Sequence, residues 1–211
     1  MSTLVIKAQR ITRSFVSRQI LRGINFEIHQ GEAIAVKGLN GSGKTTLLRI
    51  LATLLKPSSG EIYFFGQNVF DVSKIRPKIG VLFSDGFFYE DLSVVENLQL
   101  YARLYGLKNH LSIINFWMQR FDIFFLSKEP VRNLSKGERQ RVILIRSMLH
   151  SPSLLLWDEP TTALDEKARQ LFKEIALECK EKATIVCATH DLESTEGWVD
   201  RQMNLLNGYL Q

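Results

Sequence analysis

Cysteine, proline and long apolar runs are scarce in this sequence, and each shortage excludes a class of protein. The 211 residues include only 2 cysteines, Cys179 and Cys187, whose spacing fits neither a disulfide scaffold nor a metal site, so we expect reduced thiols in a cytoplasmic protein. With 5 prolines and 13 glycines, collagen-like repeats and general disorder are excluded. No stretch approaches the roughly 18 apolar residues of a membrane span. The N-terminus lacks the apolar core of a signal peptide, so secretion is not expected.

Charges of one sign are not clustered either. Lys and Arg number 27 and Asp and Glu number 22, which gives a net charge of +5 that is spread along the chain. This mild excess favours an anionic ligand or a membrane surface only weakly. The apolar fraction of 45% is that of an ordinary globular protein, and the length predicts a single domain over residues 1–211.

Short apolar segments alternate with helical patterns along most of the chain. The patterns predict helices at residues 45–55 and 166–180, a helical block at 93–149, and strands at 4–10, 20–28, 33–37, 61–65, 79–83, 154–158, 184–188, 203–206 and 209–210. The first two strands partly alternate, which is typical of an antiparallel sheet with one covered face. The later alternation of strands and helices predicts a mostly parallel sheet covered on both faces.

A glycine-rich segment, GLNGSGKTT at residues 38–46, joins a predicted strand to a predicted helix and fits the pattern G-x-x-x-x-G-K-[ST]. Glycines allow successive backbone N–H groups to point at one anion, and the helix that follows adds its positive end. The lysine would place its charge on the β- and γ-phosphates, and the first threonine can ligate Mg²⁺. The segment therefore predicts a nucleoside triphosphate site formed by Gly38, Asn40, Gly41, Ser42, Gly43, Lys44, Thr45 and Thr46.

The expected fold class is α/β: a P-loop nucleoside-triphosphatase core with a mostly parallel sheet, an N-terminal antiparallel β part and an inserted α-helical subdomain. We expect residues 1–84 and 151–211 to form the catalytic core and residues 85–150 the helical subdomain. Both parts should belong to one domain, because the helical block interrupts the strand–helix alternation and does not follow it.

Two acidic residues, Asp158 and Glu159, end an apolar strand. The last side chains of a strand in a parallel sheet point into the ligand crevice. Asp158 is therefore placed to hold Mg²⁺ and Glu159 to act on the attacking water as a general base; a structural salt bridge is the alternative for each. His190 follows the next strand, and we expect it to contact the γ-phosphate or the water, the alternative being a packing or surface histidine. Lys44, Glu159 and His190 form the candidate catalytic set.

Six motifs, taken in order, resemble those of the ATPase subunit of an ABC transporter, and the resemblance covers nearly the whole chain. They are Phe15, the phosphate loop, the segment 79–85, the signature-like segment LSKGERQR at 134–141, the Asp158-Glu159 pair and His190. The tripeptide ALD at 163–165 also looks like the loop that links two active sites. An ordered set of this kind is far more specific than any single motif.

The resemblance implies two ATPase subunits stacked head to tail, with ATP and Mg²⁺ between the phosphate loop of one subunit and the signature segment of the other. Phe15 would stack on adenine, and Ser135 and Gly137 would contact the ATP held by the second subunit. Plain core packing is the alternative for Phe15. Helix capping is the alternative for Ser135, because Ser135 and Glu138 also fit a capping box.

Three residues depart from the family pattern. The family usually has Gln where Ser84 stands, and that Gln helps to bind Mg²⁺ and links ATP to the membrane subunit. Ser84 is still the expected Mg²⁺ contact, but its shorter side chain needs a bridging water or help from Asp85. Lys136 and Glu138 replace the usual first Gly and the Gln of the signature. Similar replacements occur in exporter ATPases of the sodium, drug and haem type, so the resemblance implies an exporter.

A transporter ATPase without a membrane span must dock on separate multi-span membrane subunits, at the cytoplasmic face of the membrane. Residues 111–126 contain more Ile, Phe and Trp than one stripe of a helix normally buries. One interpretation is an aromatic groove that receives a short helix of the membrane subunit. The other is that these side chains fill a small helical subdomain. No nucleic-acid partner is expected.

The main hypothesis is thus an ATP-hydrolysing transport subunit, and three other classes remain. A soluble ABC-type ATPase acting on DNA or the ribosome is disfavoured, because the chain has one cassette and no heptads. A nucleotide-binding regulator with weak catalysis is suggested by Ser84. A P-loop kinase would lack both the signature segment and His190.

Overall fold

The computed structural model describes residues 3–16, 18–68, 72–191 and 193–211. Its helices are α1 (Lys44–Leu51), α2 (Val94–Leu104), α3 (His110–Arg120), α4 (Lys136–Met148) and α5 (Glu166–Lys180). Its strands are β1 (Leu4–Phe15), β2 (Arg18–His29), β3 (Ala33–Lys37), β4 (Ser59–Phe64), β5 (Gln67–Asn68), β6 (Ile79–Leu82), β7 (Leu154–Asp158), β8 (Thr184–Thr189), β9 (Arg201–Leu206) and β10 (Tyr209–Leu210).

The strands form two sheets. An antiparallel sheet has the order β2-β1-β4-β5. The second sheet has the order β10-β9-β3-β8-β7-β6 and is parallel except for β10. The predicted fold class is confirmed. Because β3, β8, β7 and β6 run in the same direction, their carboxyl ends meet at one edge, which is where ligands bind in sheets of this type.

Two hydrophobic clusters cover opposite faces of the parallel sheet, and successive residues of β7 alternate between them. Leu154 and Leu156 join the cluster that contains α1 and the antiparallel sheet. Leu155 and Trp157 join the cluster that contains α2, α3, α4 and α5. This burial on both faces explains why the strand is a continuous apolar run in the sequence.

The helices α2, α3 and α4 all lie within residues 85–150, the segment that the sequence assigns to a helical subdomain. Helix α4 packs against β6, where the Ser147 carbonyl comes too close to Gly80 for any side chain to fit there. The division of the chain into a core and a subdomain stays a prediction. In the part of the chain that the structure describes, no helix has both the length and the apolar character needed to cross a bilayer.

Helix α1 ends at Leu51 and not at the predicted residue 55. Thr53 takes the left-handed conformation, with a φ of 59°. Its N–H donates to Ile50 O at 3.0 Å, and the N–H of Leu54 donates to Arg49 O at 2.9 Å. These two bonds form a Schellman motif, whose left-handed residue is usually Gly. The apolar pattern overextended the helix because Thr gives no such signal.

Candidate active site

The phosphate loop lies at the shared sheet edge, between β3 and α1. Gly43 precedes α1 with a φ of 109°, and a Cβ at this position would lie 2.9 Å from Ile20 Cγ2, so the position requires glycine. Lys44 is buried, and its Nζ donates to the carbonyl oxygens of Gly38 at 2.8 Å and Leu39 at 3.4 Å. The loop therefore brings a lysine charge to the N-terminus of a helix, an arrangement that suits a phosphate group.

A cavity of about 370 Å³ opens beside the phosphate loop. Phe15, which ends β1 and is 44% exposed, lines it together with Arg18 at the start of β2. Gly38 and Ser42 line adjacent cavities. The structure thus gathers several of the predicted residues around one space, whose other lining residues are Ile20, Asn40, Gly41, Gly43, Lys44, Thr45, Thr46 and Glu159.

Thr45 and Asp158 bring a hydroxyl and a carboxylate together beside this loop. Burial raises the pKa of the Asp158 carboxyl, and the nearby Thr45 hydroxyl lowers it by a smaller amount. Within the described residues, Asp158 Oδ1 is buried with no hydrogen-bond partner. The same residues contain no group of three or more His, Cys, Asp or Glu side chains suited to a metal. A hydroxyl beside an unpartnered carboxylate oxygen fits Mg²⁺, which binds few protein ligands and keeps several waters.

Glu159 and His190 meet where β7 and β8 end. Glu159 has a left-handed backbone with a φ of 51°, and its N–H donates to Ala188 O at 2.8 Å. One carboxylate oxygen, Oε2, lies 2.8 Å from His190 Nδ1 and 3.2 Å from Thr189 Oγ1. The other, Oε1, lies 3.7 Å from Lys44 Nζ. A strained backbone at a residue whose carboxylate is held by a histidine is the kind of arrangement that clusters at active sites.

The signature segment begins α4, away from the cavity. Ser135 Oγ accepts from the Glu138 N–H at 3.3 Å, and Glu138 Oε2 accepts from the Ser135 N–H at 2.8 Å, so the capping box is present. A Cβ on Gly137 would lie 2.7 Å from the Ala163 carbonyl oxygen. Neither Ser135 nor Gly137 is among the described residues that line the Phe15 cavity. Within one chain, the structure does not bring the signature segment to the phosphate loop.

Gln140 belongs to the signature-like segment, and its contact with the site was not predictable from the motif. It is buried, and its Nε2 donates to the main-chain oxygens of Glu159 at 3.2 Å and Pro160 at 2.8 Å. It therefore ties the signature helix to the turn that carries the candidate base. The signal was a polar side chain on the buried face of α4, where it needs an internal partner.

Ser84 is exposed just beyond β6, and its contact with Mg²⁺ stays a prediction. The neighbouring Asp85 carboxylate lies 3.3 Å from Arg49 Nη2 on α1. Arg146 of α4, to which the sequence pattern assigns no role, is buried and donates from Nη1 to Gly86 O at 2.6 Å. The segment after β6 is therefore held from two sides, by α1 and by α4.

The aromatic segment 111–126 contains both buried and exposed side chains, and its use as a groove for a membrane subunit stays a prediction. Ile114 and Phe121 are buried in the core of the helical part. Phe116, Phe124 and Phe125 are exposed, the last by 72%. The segment thus helps to fill the hydrophobic core under the helices and also leaves three phenyl rings on the surface.

Comparison with known proteins gives consistent matches over these elements. A family model described as ABC transporter matches residues 21–162. The ABC transporter ATP-binding protein NatA of Bacillus subtilis (strain 168) is 36% identical over 193 residues, which cover 89% of this chain and 78% of that protein. The spermidine/putrescine import ATP-binding protein PotA of Spiroplasma citri is 32% identical over an alignment that covers 100% of this chain and 61% of that protein.

Among solved structures, the chain is similar to a dimeric ATP-binding cassette in a post-hydrolysis state, bound to ADP and phosphate. The TM-score is 0.86 and the sequence identity 27%, and the match covers 98% of this chain and 96% of the other. The similarity therefore includes the antiparallel sheet, the parallel sheet and the helical segment together.

Proposed function

The chain belongs to the ABC transporter family, and on that premise we propose that it is the ATP-binding and ATP-hydrolysing subunit of an exporter. In this proposal it lies at the cytoplasmic face of a membrane, and closure of an ATPase dimer on ATP drives transport by separate multi-span subunits. One observation carries the proposal: Lys44, the Thr45–Asp158 pair and the Glu159–His190 pair meet at one sheet edge.

In the proposed complex the phosphate loop binds the β- and γ-phosphates of ATP. Lys44 exchanges its two loop carbonyl partners for phosphate oxygens, which keeps its buried charge satisfied. Thr45 and Asp158 hold Mg²⁺, which when bound neutralises charge on the phosphates. Phe15 stacks on the adenine at the side of the cavity, a contact worth about 1 kcal/mol.

Glu159 is the proposed general base. His190 and Thr189 occupy one of its carboxylate oxygens, which fixes the group and leaves Oε1 to take a proton from the attacking water. Lys44, 3.7 Å from Oε1, moves toward the incoming phosphate and so releases this oxygen for the proton transfer. In this proposal the two carboxylate oxygens therefore have separate tasks.

A second ATPase subunit completes each site in this proposal. Ser135 and Gly137 lie outside the cavity of their own chain, and the similar solved structure is dimeric. We therefore place the start of α4, with its free N–H groups and Lys136, against the γ-phosphate held by the other subunit. The exposed aromatic rings of segment 111–126 form the proposed docking site for a short helix from the membrane subunit.

The direction of transport is a separate part of the proposal, and it rests on the signature-like segment. Lys136 and Glu138 support the exporter type, whereas one relative is an import ATP-binding protein by name. A nucleotide-binding regulator with weak hydrolysis is the second candidate, and the exposed Ser84 in place of Gln favours it. If the wild-type protein hydrolyses ATP as slowly as the Glu159→Gln variant, the result would favour the regulator over the transport ATPase.

Glu159→Gln is the direct test of hydrolysis. The variant keeps the shape of the side chain but loses its basicity, so we expect phosphate release to slow by about 10²- to 10⁴-fold. ATP binding should persist, and ATP-bound dimers should accumulate in size-exclusion chromatography. Hydrolysis near the wild-type rate would show that Glu159 is not the base.

Lys44→Ala is the matched variant for binding. Removal of the phosphate-facing charge should weaken ATP binding itself, measured by calorimetric titration, with the carboxylate pair intact. An unchanged affinity would contradict the assignment of the phosphate loop.

A further inference from the structure

Arg13 lies two residues before Phe15 on β1, so the two side chains project from the same face of the strand. The Arg13 guanidinium carbon is 4.5 Å from the centre of the Phe15 ring. Phe15 still keeps 44% of its surface exposed and lines the cavity beside the phosphate loop. The guanidinium therefore covers part of the ring and leaves the remainder open to that cavity.

Arg13 has a second anchor on the segment that follows α1. Its Nη1 donates to the Lys56 carbonyl oxygen at 3.0 Å. Next to it, the Ser14 N–H donates to Ser58 Oγ at 3.1 Å, and the Ser58 N–H donates to Thr12 O at 2.8 Å. Because α1 begins at the phosphate loop, these contacts connect the end of β1 to the helix that carries the phosphate-binding residues.

The chemistry of Arg13 is suited to holding the Phe15 ring in position. Among the described residues it forms no ion pair with a carboxylate, so its charge faces the ring and a main-chain oxygen. A planar guanidinium can lie on an aromatic face and donate a hydrogen bond from its edge at the same time, which an ammonium group cannot do.

We propose that Arg13 is a positioning residue that holds the Phe15 ring at a fixed distance and angle from the phosphate loop, so that the ring meets the adenine of a bound nucleotide. The inference rests on the proposed function, which places adenine on Phe15. If the guanidinium instead occupied the ring face that adenine needs, removal of the guanidinium would strengthen ATP binding.

The test compares wild type with Arg13→Met, which keeps an unbranched apolar chain and removes the charge and the plane. Calorimetric titration measures binding of ATP and of inorganic tripolyphosphate, which has no base. We expect the Kd for ATP to rise about three- to fivefold, the size of an exposed cation–π contact, with the Kd for tripolyphosphate unchanged. In steady-state hydrolysis the KM for ATP should rise by a similar factor with little change in kcat.

Lys78→Met is the control, since it removes a cation 4.8 Å from the ring centre of Phe65, outside the site, and should leave both titrations unchanged. If Arg13→Met does not fold, Arg13→Lys keeps a donor for the Lys56 carbonyl but loses the planar contact. That variant should still bind ATP more weakly than wild type.

An unchanged or tighter Kd for ATP in Arg13→Met or Arg13→Lys would overturn the inference, and so would an equal loss of tripolyphosphate binding. Phe15→Ala separates this outcome from failure of the proposed function. If Phe15→Ala leaves ATP affinity unchanged, the adenine assignment itself is wrong. If Phe15→Ala weakens ATP binding and the Arg13 variants do not, only the role of Arg13 is wrong.

Discussion

Ser84 stands where the family usually has Gln, and its surroundings indicate a small direct role in the nucleotide site. It is exposed, and the adjacent Asp85 is already paired with Arg49 at 3.3 Å. With a water between the hydroxyl and Mg²⁺, Ser84→Ala should reduce ATP turnover little, and Ser84→Gln should raise it because the amide reaches further. Asp158→Asn is the reference for loss of a Mg²⁺ ligand. A large loss of turnover in Ser84→Ala would mean direct contact.

His150 follows α4, and its environment makes folding stability depend on pH. Its Nε2 lies 3.1 Å from Ile79 O, and its ring stacks on Tyr105 with centroids 3.7 Å apart. Its Nδ1 is buried with no partner in the part of the chain that the structure describes. Burial lowers the pKa of His150 to about 4, since a proton on Nδ1 would find no acceptor.

Because the pKa of His150 is lower in the folded than in the unfolded chain, the unfolded chain takes up the proton first as pH falls. Its contribution to stability is complete above about pH 6.5 and decreases as pH falls from there toward pH 4. Between about pH 7 and pH 5, we expect Tm to fall more in wild type than in His150→Phe. Each kcal/mol by which the two proteins differ in the loss of unfolding free energy should shift Tm by about 2–4 °C. Equal Tm shifts in calorimetric scans would contradict this.

The role of a residue can be predicted from sequence when its partners lie in the same motif. Lys44 belongs to a loop whose geometry is local, so its position followed from the pattern. The proximity of Glu159 and His190 could be predicted because it required only that β7 and β8 end at the same edge of the sheet. The contacts of Gln140 and Arg146 were not predictable because both side chains bond to main-chain oxygens far away in sequence, and no residue type marks such an acceptor.

At the scale of elements, α4 offers a test of whether its N-terminus is a cap alone or also a binding surface. If Ser135 only caps α4, Ser135→Asp should preserve stability and hydrolysis, because Asp caps equally well. If the site faces phosphate, the variant should fold but lose hydrolysis through charge repulsion, and we expect this result. Ser93→Asp is the control, since Ser93 caps α2 with its own capping box. Tm and phosphate release are measured for both.

Helix boundaries were predictable where the ends carry a residue with a clear preference. Helix α5 has the predicted bounds, with Asp165 accepting from the Ala168 N–H at 2.7 Å. Helix α2 ends before Gly106, which has a φ of 71°. Helix α1 was overextended because Thr53 takes the same left-handed role without the glycine signal. Arg76 donates hydrogen bonds to Thr53 Oγ1 at 3.0 Å and to Thr53 O at 3.1 Å, and such contacts between distant residues are not visible in a local sequence pattern.

At the scale of the whole molecule, the alternation of strands and helices was enough to predict a parallel sheet with an antiparallel N-terminal part. The strand order was not predictable, because β3 lies between β8 and β9, far from its neighbours in sequence. That order places the phosphate loop next to the ends of β8 and β7. The candidate site is therefore assembled by long-range pairing, and its residues come from four separate regions of the chain: Phe15, the loop 38–46, the pair 158–159 and His190.

One subunit holds only part of the proposed site, so hydrolysis should depend on protein concentration. The Phe15 cavity includes Lys44 and Glu159 but neither Ser135 nor Gly137. Below the dissociation constant of the dimer, monomers should bind ATP without turning it over, and phosphate release per subunit should fall with dilution. Sedimentation over the same range identifies the monomer. A rate per subunit that stays flat where only monomer remains would contradict the shared site.

A mixing experiment tests the head-to-tail arrangement itself. Lys44→Ala and Ser135→Asp should each be inactive alone, because each homodimer has the same defect in both sites. In a mixed dimer, one site carries both defects, while the other combines an intact Lys44 from one subunit with an intact Ser135 from its partner. Equal mixing should therefore restore about a quarter of the wild-type rate if subunits pair at random and the two sites act independently. No recovery, with mixed dimers demonstrated by tag pull-down, would show that the two residues do not act across the subunit interface.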